Sequence, residues 1–502
     1  MANVVDVDVV VIGGGPVGVT ALALLARAGL SAIGVEREVQ AWPTARAVHF
    51  DGETFRTLQS LGVADRFAEA TLPMASFHIE NEEREVLVSV ATGQLGSQGW
   101  HDDLTFHQPD IEALLQELVQ EFPGVELRRG TTVRSVRNAG QCVEVAVRDA
   151  DGGDSLIRAR WAIAADGARS QSRQTLGIEC EQLGEDAQWL VADGFLENSP
   201  GLSSDMIFLG HHTRPALWIR LPGKRVRMEF MLMPGDDPEE IATPAGVARI
   251  SHGVLPADKF TADRLAIYTF RGRIARQWRA GNIFLAGDAA HQAPPLFGQG
   301  LCAGIRDVAN LVWKLDAVKR GAADESLLDT YESERMPHAR FWVEQATRAA
   351  GFMQTTDADV AKQRDAFIRS NPAASGPPDP PALGPGLHEG GTDQRAGRLG
   401  MQPVLSDGVR LDDMVGSRFL VATTRELYKA VPAALREQLE DHSDIVVLFD
   451  PAKVGQILAA AGAQAVVVRP DRYILGLGDT PEALERLIRS IPQVGRNVPA
   501  RI

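Results

Sequence analysis

The chain has 502 residues, a formal net charge of −15 and a sequence pI near 5.3. This length allows two or three domains with sizeable cores, and the negative charge argues against nucleic acid or an anionic membrane surface as a partner. Three widely spaced cysteines argue against a disulfide framework and a metal cluster, and no apolar run reaches membrane-spanning length. The cytoplasm is the expected location, because the chain enters its first strand without a signal peptide.

The N-terminal segment has the spacing of a dinucleotide-binding loop. An apolar strand over residues 4–12 runs into the sequence GGGPVG at 13–18, which is G-x-G-x-x-G. In this pattern Gly13 permits a tight turn, Gly15 lets a pyrophosphate approach the backbone, and Gly18 allows the helix to pack closely on the strand. A glycine pattern alone is weak evidence for dinucleotide binding, so the elements around it must be considered.

That context is a strand, a helix and a second strand. A helix is predicted over 19–28 and a strand over 32–35, which ends at Glu36. An acid at this strand end suits the 2′-hydroxyl of an adenosine ribose and repels a 2′-phosphate. The segment therefore predicts FAD or NAD in this pocket and disfavours NADP.

In the middle of the chain, residues 186–268 are mostly strand-like. Side chains alternate between apolar and polar over 216–220 and 226–231, which is typical of strands with one buried face. We expect an antiparallel sheet here that forms one wall of a substrate pocket.

Residues 281–315 predict a second strand end that faces a ligand. An apolar strand over 283–286 ends in Gly287-Asp288, and a carboxylate at this place suits the hydroxyls of a bound ligand. Gly298-Gln299-Gly300 then opens a long amphipathic helix, whose free N–H groups and dipole favour negative charge, as on one edge of a reduced flavin. An ordinary strand–turn–helix is the alternative. A dehydrogenase would not use such a second strand end, so the segment favours FAD.

A Pro-rich linker over 371–386 precedes the C-terminal region. From about residue 404 the predicted order is strand, helix, strand (445–449), helix, strand (465–468), strand and helix (481–491). The region contains no cysteine, which excludes thiol redox chemistry there and favours a structural or oligomer-interface role. A homodimer is consistent with that role.

Three signatures then stand in order: the glycine loop, the sequence ADGARS at 165–170 and the sequence AGDAAH at 286–291. Over almost its whole length the chain resembles class A flavoprotein aromatic hydroxylases, the family of phenol hydroxylase and para-hydroxybenzoate hydroxylase. Within that family it looks most similar to 3-(3-hydroxyphenyl)propionate hydroxylases. The closer similarity is carried by the runs at 46–51, 106–109, 227–232 and 304–307.

The resemblance implies an α/β FAD-binding domain of the glutathione-reductase-like Rossmann type, an antiparallel β-sheet substrate domain and a thioredoxin-like C-terminal domain without a CxxC motif. The implied bounds are 1–75, 105–175 and 276–345 for the FAD-binding domain, 76–104 and 176–275 for the substrate domain, 346–386 for a helix and the linker, and 387–502 for the C-terminal domain.

The implied activity is monooxygenation of a small phenolic substrate. NADH or NADPH reduces FAD, O2 forms a flavin C4a-hydroperoxide, and its distal oxygen is transferred to the ring ortho to the hydroxyl. Alternatives are a tailoring oxygenase for a polyketide or antibiotic, a flavin oxidase or electron-transfer reductase, and a non-catalytic flavin-binding regulator.

The resemblance also implies the FAD-binding residues. Asp288 would hold the ribityl hydroxyls, with a helix N-cap as its alternative; a simple turn is the alternative for Asp166, and a core valine for Val133. His291 is interpreted as a structural histidine. The full implied set is Gly13, Gly15, Pro16, Val17, Gly18, Glu36, Arg37, Arg46, Gln108, Val133, Asp166, Gly287, Asp288, Pro295, Gly298, Gly300, Leu301 and Cys302.

Two further roles are implied on the substrate side. In phenol hydroxylases the acid at the place of Asp51 lies close to the substrate hydroxyl, where it can remove the phenol proton; the alternative is a cap for a helix over 54–61. Cys302 replaces the Asn common in the family, and packing under the flavin is preferred to a redox role. If the substrate is a phenylpropionate, Arg214 and Arg220 are candidates to bind its carboxylate, with solvated arginines as the alternative.

Overall fold

The computed structural model describes residues 3–40, 46–196, 204–251, 259–372, 378–388, 393–440 and 442–494. The elements of the first third are β1 (Asn3–Ile12), α1 (Pro16–Arg27), β2 (Ala32–Glu36), β3 (His49–Phe50), α2 (Gly52–Ser60), α3 (Ala64–Glu69), β4 (Thr71–Pro73), β5 (Ser76–Glu80), β6 (Val86–Ala91), β7 (Leu104–Phe106), α4 (Gln108–Gln120), β8 (Val125–Arg129), β9 (Thr132–Ala139), β10 (Cys142–Arg148), β11 (Asp154–Ala164) and α5 (Gln171–Thr175).

The middle of the chain contains β12 (Cys180–Gln182), β13 (Ala187–Leu196), β14 (Met206–Leu209), β15 (Ala216–Arg220), β16 (Arg225–Met231), α6 (Pro238–Ile241), α7 (Pro244–Ile250), β17 (Phe260–Phe270), β18 (Arg273–Ala275), β19 (Arg279–Ala280), β20 (Ile283–Leu285), β21 (His291–Gln292), α8 (Gln299–Lys319), α9 (Asp329–Met353) and α10 (Ala358–Ser370). The last part contains α11 (Leu411–Val415), β22 (Phe419–Thr423), α12 (Arg425–Ala430), α13 (Ala433–Glu440), β23 (Ile445–Leu448), α14 (Pro451–Ala461), β24 (Ala465–Val468), β25 (Ile474–Gly478) and α15 (Pro481–Ser490). None of the described helices is long and apolar enough to cross a membrane.

The first sheet is assembled from distant parts of the chain. Its order is β19-β20-β11-β1-β2-β8; the strands from β20 to β8 are parallel, and β10 and β9 extend it from β11 as antiparallel strands. Val9, Val10 and Val11 of β1 have no exposed surface, because apolar clusters cover both faces of the sheet. This two-sided burial explains why β1 is a nearly continuous apolar run.

Two glycines in the loop after β1 are required by close backbone contacts. Gly13 has φ +106°, and a Cβ there would lie 2.3 Å from the carbonyl oxygen of Ala165. A Cβ on Gly18 would lie 2.0 Å from the carbonyl oxygen of Gly13. The glycine loop therefore lies directly against the end of β11, and α1 begins close to β1.

The second sheet has the order β17-β13-β16-β15-β14-β5-β6. Its pairs are antiparallel except β14 and β5, which run parallel. The sheet is therefore mixed rather than purely antiparallel, because β5 and β6 come from an earlier segment of the chain.

Alternation along these strands produces two different faces. The outer face includes Trp218 and Phe230, and it packs against Ile241 and Val247 of α6 and α7. The opposite side, called the inner face below, consists of alternate residues on β13, β15, β16 and β17. Its apolar part packs against Val48, Leu296 and Met353. The inner face thus lies beside the loop that precedes α8. Its side chains are Trp189, Asp193, Leu217, Ile219, Arg227, Glu229, Met231, Arg264, Tyr268 and Phe270.

The C-terminal region (393–494) contains a four-stranded sheet in the order β23-β22-β24-β25. Strands β22 and β23 are parallel, and β24 is antiparallel to both β22 and β25. The strand predicted from about residue 404 begins instead at Phe419, because the earlier segment forms only a single bridge between Val404 and Arg410, followed by α11.

A buried ionic cluster joins the C-terminal region to α8 and α9. The guanidinium of Arg469 donates to both oxygens of Glu334, at 2.8 Å each, and also to Asp471. The ammonium of Lys314 donates to Glu334 at 2.7 Å. Each charge has a partner of opposite sign, which a buried ion needs.

Candidate active site

Two helices have glycine as their N-cap residue and therefore begin without a side-chain cap. Gly15 is the N-cap of α1 and Gly298 that of α8, and neither helix has an acidic residue in its first turn. A Cβ on Gly15 or on Gly300 would meet no protein atom within 4 Å. The first N–H groups of α1 and α8 are therefore open to a ligand, and the helix dipoles favour a negative charge there. The residues fit the pyrophosphate and the flavin edge of FAD.

Glu36 lies beside the glycine loop, at the end of β2. One carboxylate oxygen accepts a hydrogen bond from the amide of Gly14 at 2.7 Å, and the other accepts from the amide of Glu38 at 2.9 Å. Arg37 is exposed and pairs with Glu38 at 3.3 Å. Val133 is half-buried at the start of β9. Glu36 thus ties the end of β2 to the glycine loop, at the strand end where an acid is expected beside an adenosine ribose.

Asp288 is half-buried in a short 3-10 turn over 287–289, between the starts of α1 and α8. Gly287 has φ +60°, and a Cβ there would lie 3.2 Å from Val17, so the turn lies close to the start of α1. The N-cap of the turn is Ala286. Within the described part of the chain, the Asp288 carboxylate has no hydrogen-bond partner, which leaves it free for ligand hydroxyls.

The loop before β3 is held by a buried glutamine. The side-chain carbonyl of Gln108 accepts hydrogen bonds from the amides of Arg46 and Ala47, at 2.6 and 2.8 Å. The carbonyl of Arg46 accepts a bond from Arg227 at 2.8 Å. The Arg46 guanidinium lies 6.0 Å from the ring of Tyr268 and pairs with no acid among the described residues. Gln108 thus positions the loop, and Arg46 offers a cation at its surface.

Asp166 and His291 both bind neighbouring protein groups. The carboxylate of Asp166 accepts bonds from the hydroxyl of Ser170 and the amide of Ser172, so it organises the start of α5. The Nε2 atom of His291 lies 2.8 Å from Asp307, which also accepts the amide of Gly287 at 3.0 Å. His291 therefore supports the turn that carries Asp288.

Asp51 is the N-cap of α2. One of its oxygens accepts bonds from the amide and hydroxyl of Thr54, both at 2.8 Å, and the other is bound by Arg306 of α8. Burial alone would raise the pKa of Asp51, but the charge of Arg306 and the bonds from Thr54 outweigh it and lower the pKa. Asp51 is thus held ionised.

His49 lies next to Asp51, against the start of α8. Its Nε2 atom is 2.9 Å from Asp103, and a Cβ on Gly298 would lie 2.5 Å from its ring. Burial opposes its protonation, but hydrogen bonds with Asp103 and Cys302 raise the pKa of His49 well above its usual value. Cys302 is fully buried in the first turn of α8, with its sulfur 3.8 Å from the carbonyl of His49.

The inner face carries a buried charge cluster near Arg46. Asp193 accepts bonds from Arg227 at 2.7 and 2.9 Å and from Arg264 at 3.0 Å. Glu229 is 3.8 Å from Arg227, and burial raises its pKa to about 7. The two arginines are thus largely neutralised by acids on the same face.

The two arginines predicted to bind a substrate carboxylate are already paired. Arg214 forms a two-pronged pair with Asp236 at 2.7 and 3.0 Å. Arg220 is 55% exposed and pairs with Asp205 at 3.2 Å. In the alternation of β15, Arg220 shares the side of Trp218, which faces away from the inner face.

A family model described as an FAD binding domain matches residues 6–346 of the chain. The chain belongs to this family, the flavoprotein aromatic hydroxylases. The hydroxylase is 34% identical, over 99% of its length and 96% of the other chain, to a probable NADH-specific resorcinol 4-hydroxylase of Rhodococcus jostii (strain RHA1). It is 31% identical, over 94% of both chains, to a 3-(3-hydroxy-phenyl)propionate/3-hydroxycinnamic acid hydroxylase of Burkholderia cenocepacia (strain HI2424). The predicted family, its FAD cofactor and its class of enzyme are thereby confirmed.

Solved structures share the fold of the hydroxylase. The flavin-dependent monooxygenase PieE, in complex with FAD and substrate, covers 98% of the chain with a TM-score of 0.83 and 23% identity; the match spans 99% of PieE. Aklavinone-11 hydroxylase, in a ternary complex with FAD and aklavinone, covers 97% with a TM-score of 0.78 and 23% identity; the match spans 98% of that chain. At these identities the similarity establishes the FAD-binding monooxygenase fold.

Several residues around Asp51 could not be identified as site residues from the sequence. His49, Glu53, Asp103 and Tyr473 lie near Asp51 only because β3, β7, α2 and the turn before β25 meet in the fold. Arg306 and Asp307 belong to the run at 304–307, which carries the family resemblance. Their spacing offered one signal, since adjacent charges on an otherwise apolar helix must each find a buried partner.

Proposed function

We propose that this hydroxylase adds one hydroxyl group to a small, uncharged phenol of the resorcinol class, next to an existing hydroxyl, with NADH and O2 as co-substrates. The observation that carries this proposal is charge neutralisation. The inner-face arginines described above bind Asp193, and Arg214 and Arg220 bind Asp236 and Asp205. A substrate carboxylate would have to compete with these acids, whereas a neutral phenol would not.

The same residues that fit FAD support this reaction. When bound, FAD accepts a hydride from NADH and supplies activated oxygen to the ring. The N-terminus of α1 would bind the pyrophosphate, Asp288 the ribityl hydroxyls and the N-terminus of α8 the pyrimidine edge. Leu296 and the apolar part of the inner face would exclude water from the ring. The relative named for resorcinol and NADH, similar over nearly the full length of both chains, supports the choice of substrate and reductant.

Asp51 is the proposed proton acceptor for the substrate hydroxyl. Its carboxylate is kept ionised by Arg306, so it can accept a hydrogen bond from the phenol and polarise the O–H bond. We expect Asp51→Asn to retain FAD and to slow hydroxylation roughly 10²-fold. Stopped-flow hydroxylation rates and FAD absorbance would measure this.

The matched variant for Asp51 is Thr54→Val, which removes one partner of the cap but keeps the carboxylate. Unchanged hydroxylation in Asp51→Asn, with a stability loss of only about 1 kcal/mol, would reduce Asp51 to a helix cap.

A substrate screen tests the proposed substrate class. Resorcinol, 3-(3-hydroxyphenyl)propionate and its neutral amide should be compared for NADH oxidation, hydroxylated product and hydrogen peroxide. We expect resorcinol to give product coupled to NADH oxidation. Coupled turnover of the acid but not of its amide would favour the second candidate, a phenylpropionate hydroxylase, which the 31% identical relative supports. Peroxide without product from every phenol would indicate a flavin oxidase.

We also infer the domain division stated from the resemblance, with a thioredoxin-like C-terminal domain. The strand order supports this topology: the edge strand β23 is parallel to β22, and β24 and β25 follow on the other side of β22 as successive antiparallel pairs. The region contains no cysteine, so its role would be structural. Limited proteolysis tests the division: we expect early cleavage between 371 and 386, and fragments of other masses would contradict these bounds.

A further inference from the structure

A turn of the C-terminal region reaches the carboxylate beside the proposed substrate site. The hydroxyl of Tyr473 donates to Glu53 at 2.8 Å. The other oxygen of Glu53 is bound by Arg306, and the same guanidinium binds Asp51. These four residues, called the Tyr473 network below, connect residues more than 400 positions apart in the sequence. All except Asp51 are at most 9% exposed.

Arg306 is the centre of the Tyr473 network and serves three acceptors. Besides the two carboxylates, it donates at 2.8 Å to the side-chain carbonyl of Gln299, the first residue of α8. Asp51 and Glu53 therefore compete for one positive charge. The hydroxyl of Tyr473 supplies Glu53 with a second donor, which reduces the demand of Glu53 on Arg306.

Tyr473 is held firmly in place by its own turn. The amide of Arg469 donates to the carbonyl of Tyr473 at 2.9 Å, and Arg469 is fixed by Glu334. Arg472, with φ +75°, binds Asp412 at 2.9 Å and the carbonyl of Gly416 at 2.7 Å. Docking of the C-terminal region thus fixes the position of the phenolic hydroxyl.

A cavity of about 280 Å³ lies beside the Tyr473 network, between α1, α2, α8 and the C-terminal region. Glu53, Arg306 and Tyr473 line one side of it. A site of this size admits water. The C-terminal region therefore borders the polar side chains that hold Asp51, as well as covering α8.

We propose that Tyr473 is a positioning residue for hydroxylation: by binding Glu53, it leaves Arg306 available to Asp51 and so couples the C-terminal region to the carboxylate that receives the phenol proton. The proton-accepting part of this statement rests on the proposed function. The coupling itself concerns only residues of the chain.

Other charged groups also face the Tyr473 network. Around Asp51 these are His49 of β3 and Asp102 before β7. Around Tyr473 they are His338, whose Nε2 atom is 3.4 Å from the hydroxyl, and Arg335, both of α9. Burial lowers the pKa of His338 well below its usual value, which opposes protonation of its ring. The variants below leave these four groups unchanged.

The test compares Tyr473→Phe with Tyr428→Phe. Tyr428 is a second buried tyrosine of the C-terminal region, stacked on Phe449. The pH titration of the Asp51 carboxyl can be followed by difference infrared spectroscopy, with Asp51→Asn used to assign its band. We expect Tyr473→Phe to move this titration to higher pH and Tyr428→Phe to leave it in place. In the hydroxylation assay, the acid limb of the kcat profile should move with it, and the rate on that limb should fall about three- to tenfold.

Glu53→Gln provides a second variant with the opposite sign. Removal of the competing charge gives Arg306 to Asp51, so the acid limb should move to lower pH. Adding Tyr473→Phe to Glu53→Gln should then have no further effect. An Asp51 titration in Tyr473→Phe that matches the wild type, or an additive double variant, overturns the coupling. A shifted titration in a protein that hydroxylates no phenol would uphold the coupling and refute the proposed function.

Discussion

The starts of α1 and α8 and the junction of the C-terminal region differ in how their polar groups are paired. At the starts of α1 and α8 there is no side-chain cap, and the carboxylate of Asp288 has no partner within the described residues. At the junction, Arg469, Glu334 and Lys314 are completely buried, and each is paired. Both regions are rich in polar atoms, yet the charged groups of the junction satisfy one another, whereas the carboxylate of Asp288 is open.

The difference separates groups that bind a ligand from groups that hold the fold. A buried polar group needs a protein partner, whereas a half-buried group without one is open to water or to a ligand. Elsewhere in the molecule, helices such as α2, α10 and α15 are capped by Asp51, Asp357 and Thr480. The starts of α1 and α8 differ from these helices in combining an absent side-chain cap with a glycine N-cap, which leaves room for a ligand beside the first N–H groups.

The largest expected effect, on both stability and FAD binding, comes from a substitution in the glycine loop. In Gly13→Ala the new Cβ would clash with the carbonyl of Ala165 in a backbone conformation unfavourable for alanine, so we expect an unstable protein without FAD. Gly15→Ala is the matched control, because a Cβ there meets no protein atom within 4 Å. We expect it to retain the unfolding transition of the apoprotein but to lose FAD affinity.

Thermal unfolding of the apoproteins and FAD titration by fluorescence would distinguish these two glycine variants. An equal loss of stability in both would mean that Gly15, like Gly13, is required by the fold alone.

The second largest effect, on the free energy of unfolding, comes from a substitution in the junction of the C-terminal region. Arg469→Met would leave the carboxylates of Glu334 and Asp471 buried with too few partners, and we expect a loss of about 3–5 kcal/mol in the free energy of unfolding. In Arg489→Met, an exposed pair with Glu485 is removed, and the loss should be at most about 0.5 kcal/mol. Chemical denaturation of both proteins would measure the contrast. Equal losses would show that the buried cluster does not hold the two parts together.

The strand–turn–helix units at the start of the chain and before α8 could be predicted from the sequence because their spacing is local. Gly18 is required by its contact with Gly13 inside one such unit, and this spacing is visible in the sequence. Gly13 and Gly287 instead contact Ala165 and Val17, which lie far away in the chain, so their spacing alone does not show those contacts. The alternation of β15 and β16 similarly revealed which residues share a face.

The substrate side could not be predicted in the same way, because its determinants are distant in sequence. Arg220 was a candidate ligand for a carboxylate, yet it pairs with Asp205, just before β14, and the alternation of β15 turns it outward. Tyr473 reaches Glu53 across 420 positions. The parallel pairing of β14 with β5 likewise depends on which distant strand arrives there. Local spacing carries no information about such contacts.

The third effect concerns Glu229, a buried carboxylate on the inner face whose negative charge is only partly compensated by neighbouring arginines. Burial raises its pKa from 4.5 to about 7. A raised carboxyl pKa gives stability below pH 4.5 that is lost as the pH rises through 7. We therefore expect Glu229→Gln to be more stable than the wild type at pH 8, by up to about 3 kcal/mol, and equal to it near pH 4.5.

Denaturation of Glu229→Gln at several pH values would test this linkage, with the exposed Glu117→Gln as the control. A constant difference between pH 4.5 and 8 would show that Glu229 keeps an ordinary pKa and that Arg227 compensates its charge fully.

The smallest expected effect concerns Arg220. It tests whether this arginine, which is paired within the protein, also binds a substrate. Arg220 is 55% exposed and on the outer side of β15, so Arg220→Met should change the free energy of unfolding by less than about 0.5 kcal/mol. Its kcat/KM for resorcinol should be unchanged. Arg214→Met removes a less exposed pair with Asp236 and should cost somewhat more stability. It should not selectively lower the activity on a charged substrate. Steady-state kinetics with 3-(3-hydroxyphenyl)propionate and its amide would measure this. A loss confined to the acid in either variant would mean that the arginine leaves its protein partner to bind a substrate carboxylate, because a pair made only for the fold cannot discriminate between the acid and its amide.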